Sequence, residues 1–198
     1  VTLSGVNTRT GVTTISAGIL SVSTIGNGGV AGNLGAATST AANLTLNGGT
    51  LRYTGTTATT DRNFVLSAAT TSTINVTTNT LTLTGASTST SGALIKDGNG
   101  TLVLSGNNLH TGVTTVSAGT LQLGAAERIT GSLIVDATFD MNGFSETVAT
   151  LAGTGTVTSS NAGTLTLTSG NASSTSFTGV IENGSATSIA LTKNGSGT

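Results

Sequence analysis

Lys-Asp-Gly-Asn-Gly-Thr-Leu-Val-Leu-Ser-Gly, residues 96–106, begins the stretch that decides the fold, which continues through residues 111–116 and 119–124. In each of its three short runs, an aliphatic or β-branched residue stands at every second position, and Gly, Asn and Ser separate the runs. Alternation places Leu102 and Leu104 on one face of an extended segment. Glycine allows sharp bends between the runs because a positive φ costs it little. The stretch therefore predicts three short strands joined by tight bends.

The same unit occurs again at both ends of the chain. The matching segments are residues 1–5 and 102–106, residues 10–20 and 111–121, and residues 190–198 and 93–101. Joining Thr198 to Val1 would recreate a stretch of the same length as residues 96–106. This continuity is typical of a segment of a longer repeat array, or of a subunit whose ends complete each other.

The composition is that of a weakly charged, β-forming chain. Charged residues make up 7% of the 198, glycine accounts for 29, and proline and cysteine are absent. Mean hydropathy is +0.25, and the apolar residues alternate, so the chain is expected to be ordered. A net charge of −1 with 3% aromatic residues argues against nucleic-acid binding. No apolar stretch approaches the length of a membrane span, so no membrane insertion is expected.

Short strands recurring about every ten residues would fit either a β-sandwich or a solenoid. The solenoid is favoured because the sequence repeats itself and because Thr and Asn recur at matching places, as stacked turns would produce. With about 25–30 residues per turn, we expect about seven turns and a rod about 30–40 Å long. Residues 24–42 are rich in small residues, and they are predicted to form a loop insertion with a weak helical tendency over 35–42.

The predicted architecture is a single β-solenoid segment covering residues 1–198. We expect it to consist of two roughly 100-residue super-repeats, about 1–101 and 102–198, and to be part of a longer repeat array.

The pattern Lys-x-Gly-x-Gly-Thr-Leu-x-Leu-Ser-Gly-x-Asn, then Thr-Gly-x-Thr-Thr-Val and Gly-Thr-Leu-x-Leu-Gly, closely resembles a known repeat. It is the autotransporter-associated (passenger-associated) β-strand repeat of bacterial secreted and surface proteins. Residues 93–124 carry the pattern in full, while residues 1–20 and 190–198 carry two halves of another copy. The resemblance implies a right-handed parallel β-helix that is exported and serves as a stalk, adhesin body or surface fibre. The repeat is specific for architecture and says little about activity.

Two positions of the repeat carry a basic or polar side chain in both copies. Members of the family often have an aromatic residue before the Thr-Gly bend, where this chain has Arg9 and His110. We expect that position to face solvent. Lys96 and Lys193 share a position one bend before Gly-x-Gly-Thr, for which a solvated corner is expected. Bonds to the corner carbonyls, or to Asp97 nearby, are the alternatives.

The sequence predicts no catalytic, cofactor-binding or metal site, and hence no enzyme. A single histidine excludes a His-based triad or a His-rich metal site. The carboxylates are scattered, and Asp136 and Asp140 would stand about 13 Å apart in an extended strand. That separation is too large for one glycosidic bond or one calcium ion. Thr-x-Thr pairs resemble the ranks of ice-binding solenoids but do not form a regular array.

The sequence thus predicts a structural repeat segment of a bacterial extracellular or cell-surface protein, which forms a rod or filament by end-to-end continuation. Its partner would be a further copy of the same sequence. The residues expected to associate at the solenoid ends are Val1, Thr2, Leu3, Lys193, Gly195, Gly197 and Thr198. The alternative is an adhesin passenger domain, in which the loop at 24–42 or a lateral Thr/Asn face binds a glycan or a host surface.

Overall fold

The computed structural model describes residues 1–198 as an all-β solenoid of about nine turns with parallel strands. The strands, in chain order, are β1 (Thr2–Leu3), β2 (Thr13–Ile15), β3 (Ile19–Val22), β4 (Leu44–Leu46), β5 (Thr50–Tyr53), β6 (Ala58–Thr60), β7 (Val65–Leu66), β8 (Thr71–Val76), β9 (Thr80–Leu83), β10 (Ala93–Asp97), β11 (Thr101–Leu104), β12 (Thr114–Val116), β13 (Thr120–Leu123), β14 (Leu133–Val135), β15 (Thr138–Asp140), β16 (Glu146–Val148), β17 (Leu151–Ala152), β18 (Thr156–Thr158), β19 (Thr164–Ser169), β20 (Val180–Ile181) and β21 (Ser188–Lys193). The predicted β-solenoid is confirmed.

The helical content is a single 3₁₀ segment over Ala41–Asn43, at the end of the stretch where a weak helix was expected. No helix of the structure is long and apolar enough to span a membrane.

The strands form the three sides of the solenoid. The first side is an eight-stranded sheet in the order β1-β3-β5-β8-β10-β12-β14-β17, and the second is a seven-stranded sheet in the order β20-β18-β15-β13-β11-β9-β6. The third side consists of the sheets β2-β4-β7 and β16-β19-β21. Between those two sheets, isolated parallel bridges join Phe64 to Ser87 and Ser87 to Asn108. Along the chain, β1 to β4 alternate between the first and third sides, and from β5 to β19 the first, second and third sides follow one another in that order.

The turns are shorter than the sequence predicts. Pairing along the first side joins Thr73 to Ile95, then Thr115, Ile134 and Ala152, which are steps of 22, 20, 19 and 18 residues. The expectation of about seven turns of 25–30 residues is therefore wrong, because each side uses only two to six residues and the corners are tight. About nine turns at a rise of about 4.8 Å make a rod about 43 Å long.

A single hydrophobic cluster of 31 buried residues runs through the solenoid. Alternation produces it as predicted: Leu102 and Leu104 are buried, as are Leu121 and Leu123 one turn later. The core also contains the large side chains of Tyr53, Phe64, Phe139 and Met141 alongside Leu, Ile and Val.

Candidate functional site

The residues predicted to associate lie at the two opposite ends of the solenoid. Val1, Thr2 and Leu3 form or flank β1, the edge strand of the first side. Val1 is exposed, and its ammonium group donates a 2.8 Å hydrogen bond to the carbonyl oxygen of Ile19. Lys193 ends β21, the edge strand of the third side. The carbonyl oxygen of Thr198 accepts a hydrogen bond from the amide of Thr175, which places Thr198 over the first side.

Lys96 shows how two successive turns are joined inside the chain. Its side chain is fully buried, and Nζ donates to the carbonyl oxygens of Asp97 at 3.0 Å, Gly98 at 2.7 Å and Ala118 at 2.9 Å. The first two carbonyls belong to its own corner and the third to the next turn. Burial lowers the pKa of Lys96 to about 8, so the ammonium form still predominates at pH 7. The expectation of a solvated corner is wrong for Lys96, and the alternative of bonds to corner carbonyls is correct.

A glycine of the next turn completes this arrangement. A Cβ at Gly119 (φ +63) would overlap the carbonyl oxygens of Gly98 and Gly100 in the turn below. Only glycine fits both the left-handed backbone and this close approach. We call Lys96, Gly98, Gly100, Ala118 and Gly119 the corner clasp.

Lys193 makes two of the three interactions that Lys96 makes, both with its own corner. It is exposed, and Nζ donates to the carbonyl oxygens of Asn194 at 2.6 Å and Gly195 at 3.4 Å. These are the counterparts of the Asp97 and Gly98 carbonyls bound by Lys96. Gly195 adopts φ +74, close to the φ of +78 at Gly98, so the corner has the same backbone conformation.

The last turn also opens a cavity of about 190 Å³ into the core. The cavity is lined by Leu151, Ser169, Thr175, Phe177, Leu191, Lys193 and Thr198. Leu191 is 55% exposed, whereas Leu94, the matching residue of the central copy, is completely buried. Four of the seven residues predicted from the sequence therefore lie at this end. Lys193 and Thr198 line the cavity, and Gly195 and Gly197 belong to the same final segment.

The loop insertion at 24–42 is fixed by a residue that the sequence reasoning missed. Arg62 is only 3% exposed, and its guanidinium donates to five carbonyl oxygens of the loop: Nε to Gly26, Nη1 to Ala37, and Nη2 to Asn27, Val30 and Gly35. Desolvation lowers the pKa of Arg62. Alternation could have indicated it, because Arg62 stands at every second position together with Thr60 and Phe64, which are both buried.

Asn33 fixes the other side of the insertion. Its Oδ1 accepts hydrogen bonds from the amides of Ser23 and Thr24, and its Nδ2 donates to the carbonyl oxygen of Gly5. Leu34 and Ala37 of the same loop are buried. The insertion is therefore packed against the solenoid and is anchored to the first turn.

His110 is buried, so the expectation that it faces solvent is wrong. Nδ1 lies 3.2 Å from the hydroxyl of Ser87 and Nε2 lies 3.0 Å from the hydroxyl of Thr114. Desolvation lowers the pKa of His110 to about 4. Arg9, its counterpart in the repeat, is exposed and donates from Nη2 to Thr13 at 2.8 Å, the counterpart of Thr114. Arg9 and His110 thus each bind the threonine four residues later in their own repeat, but Arg9 is exposed and His110 is buried.

Glu146 is a second buried ionisable group that the sequence reasoning missed. Its carboxylate oxygens accept hydrogen bonds from the amides of Arg128 at 2.9 Å and Ile129 at 3.0 Å, one turn earlier. Burial raises the pKa of Glu146 to about 7, against the opposing effect of those two hydrogen bonds. The residue thus replaces the missing strand pairing between the two sheets of the third side.

The remaining carboxylates do not converge. Asp140 is buried and accepts hydrogen bonds from Asn142, Ser160 and Gln122, whereas Asp136 is exposed. No group of three or more His, Cys, Asp or Glu residues is arranged to hold a metal ion. The buried ionisable groups Arg62, Lys96 and Glu146 are all bound to main-chain groups.

Comparison with known proteins identifies the repeat. The passenger-associated-transport-repeat family matches residues 1–22 and 94–123. The chain is also 45% identical over 163 residues, 78% of its length, to the adhesin BmaC autotransporter of Brucella suis biovar 1 (strain 1330). It spans only 5% of the length of that relative. No solved structure matches the chain.

Proposed function

Because the chain is a segment built on the passenger-associated transport repeat of bacterial extracellular and cell-surface proteins, we propose that it serves as a length of structural rod. In this role it extends a protein away from the cell by adding turns of solenoid. Two super-repeats, about 1–101 and 102–198, would be the units added. The segment would perform no catalysis, and its buried charged groups would serve the fold.

The observation that carries this proposal is the continuity of the solenoid along its axis. The first side pairs eight strands in parallel without interruption, and one hydrophobic cluster lies beneath it. The hydrogen bonds between turns run parallel to the axis, so bending the rod would break many of them together. Such a body is stiff, and its length is proportional to the number of turns it contains.

Electron microscopy and small-angle X-ray scattering of chains with one, two and three joined copies would test the proposal. We expect the maximum dimension to grow by about 43 Å per copy, with an unchanged cross-section. Particles that grow in cross-section or fold back on themselves would contradict a rod.

An adhesive role is the second candidate, and it is favoured by the similarity to the Brucella suis adhesin. A column of threonines on the second side offers an ordered surface: Thr80, Thr101, Thr120, Thr138 and Thr156 occupy successive turns in register. Hydroxyl groups repeating at the turn spacing could bind the hydroxyls of a surface glycan. Binding of the chain to a glycan array would support this role if replacing Thr101 and Thr120 by valine abolished it. Binding that persists in that variant would exclude the column as its site.

A further inference from the structure

We propose that the open end of the ninth turn binds the first turn of a further copy of this sequence. In this contact, Lys193 donates a hydrogen bond to the carbonyl oxygen of Ala17 of the further copy. This inference rests on the proposed structural role, and it specifies the residues that join one copy to the next. Lys193 and Gly195 with Gly197 would form one half of a corner clasp, and Ala17 and Gly18 the other half.

Lys193 has one hydrogen-bond donor more than it uses within the chain. An ammonium group has three donors, and Lys96 uses them on two carbonyls of its own corner and one of the next turn. Lys193 uses two on the matching carbonyls of its own corner. The third acceptor of Lys96 is Ala118, in the sequence Ser-Ala-Gly at 117–119. The same sequence occurs at 16–18, so the matching acceptor is Ala17.

The glycines of the first turn have open space beside them. In the central copy, a Cβ at Gly106, Gly112 or Gly119 would overlap backbone carbonyls of the preceding turn. Their counterparts Gly5, Gly11 and Gly18 have nothing within 4 Å of that position. Gly18 nevertheless keeps φ +65, close to the φ of +63 at Gly119. The first turn therefore has the conformation for close contact at three corners, and that contact is absent within this chain.

The hydrophobic core is open at the end of the ninth turn. In the central copy Leu102 and Leu104 follow the lysine corner and are completely buried. Their counterparts are Val1 and Leu3, and Val1 is 85% exposed. Placed after Thr198, Val1 and Leu3 of a further copy would reach the open cavity beside Leu191. They would supply the apolar surface that the end of the core lacks.

The order of the three sides also allows a further copy to continue the solenoid. The lysine strand β10 lies on the first side and is followed on the second side by β11. The matching strand β21 lies on the third side, which precedes the first side along the chain. In a further copy β1 would lie on that first side, where Thr198 already sits over Thr175. A copy thus advances the solenoid by whole turns, and the next copy continues on the correct side.

Counting the fast-reacting amines of a two-copy chain would test the inference. Lys96 and Lys193 are the lysines of each copy, so intact-mass spectrometry after brief acylation reports them directly. In the one-copy chain, we expect two fast amines, the α-amino group and Lys193, with Lys96 at least about tenfold slower because it is buried. In a chain with Thr198 joined to a second Val1, we expect two fast amines again, because Lys193 of the first copy becomes buried. A third fast amine would overturn the inference.

Gly18→Ala provides a matched control, since it can be placed in either copy. In the second copy it should expose Lys193 of the first copy and raise the number of fast amines to three. In the first copy, where the site is open, the number should stay at two. If the number of fast amines stays at two with the substitution in the second copy, then Gly18 does not pack against the preceding copy as proposed. Electron microscopy of the same chain separates the two proposals: a doubled length with three fast amines would leave the rod intact and refute only the clasp.

Discussion

The ammonium nitrogen of Lys96 lies 2.9 Å from the carbonyl oxygen of Ala118, in the next turn of the solenoid. The contact joins two turns from inside the core, because Lys96 has the same strand parity as the buried Leu94. The side chain thus satisfies main-chain acceptors at the corner that follows β10. The chain contains a natural comparison, since Lys193 occupies the matching sequence position and is exposed.

Replacing the two lysines should have unequal effects on stability. Lys96→Met should lower the free energy of unfolding by about 2–4 kcal/mol, because three partly buried carbonyl oxygens lose their donor. Lys193→Met in the one-copy chain should change it by less than about 0.5 kcal/mol, since its partners are exposed. Urea titration followed by circular dichroism measures both. Equal losses would contradict the role assigned to the Ala118 contact.

The glycines of the two copies provide a test of the close approach between turns. Gly119→Ala should lower the free energy of unfolding by about 3 kcal/mol or more, because the methyl group would overlap two carbonyl oxygens. Gly18→Ala has the same left-handed φ but an open site, so it should cost only about 1 kcal/mol. Thermal unfolding of both variants gives the comparison. Similar values would mean that backbone strain alone accounts for the glycine.

Arg62 should control the order of the insertion at 24–42. Arg62→Met removes one donor from each of five carbonyl oxygens and should lower the free energy of unfolding by about 3–5 kcal/mol. Cleavage within 24–42 by thermolysin should also become faster. Arg52→Met is the matched control, since Arg52 lies on the outer face with a buried Nε that has no hydrogen-bond partner. An insertion that stays resistant to thermolysin in the Arg62 variant would show that Asn33 and Leu34 suffice to hold it.

His110 and Glu146 should have opposite effects on the pH dependence of stability. The folded pKa of His110 is about 4, below its ordinary 6.5, so protonation of the unfolded chain removes stability as pH falls from 6.5 towards 4. The folded pKa of Glu146 is about 7, above its ordinary 4.5, so ionisation of the unfolded chain removes stability as pH rises from 4.5 to 7. Each shift corresponds to about 3 kcal/mol. The two effects largely cancel between pH 4.5 and 6.5.

Single substitutions should therefore reveal each effect. Relative to the parent chain, Glu146→Gln should lose stability on acidification from pH 6.5 to 4, and His110→Gln should lose stability as pH rises from 4.5 to 7. Urea midpoints measured across that range, taken as differences from the parent, remove the contribution of the other carboxylates. If the His110→Gln profile runs parallel to that of the parent chain, then His110 titrates normally in the folded protein.

The sequence by itself determined the architecture of this protein. Alternation in short runs fixes which side chains face inward, and glycine at the bends allows the corners, and both are properties of residues close together in the chain. The strands, the insertion near 24–42 and the repeat follow from such local patterns. These local patterns did not mark Arg62, Lys96, His110 and Glu146 as inward-facing, and the polarity of the four side chains argued for a surface position.

Only the tertiary structure decided that these four residues are buried and how many residues make a turn. A charged or polar group enters the core only if partners replace water, and those partners come largely from distant parts of the chain. Ala118 lies 22 residues after Lys96, and the amide of Ile129 lies 17 residues before Glu146. The number of residues per turn depends on the same kind of contact, because each corner must pack against the backbone of the neighbouring turn. A local sequence pattern does not specify that packing.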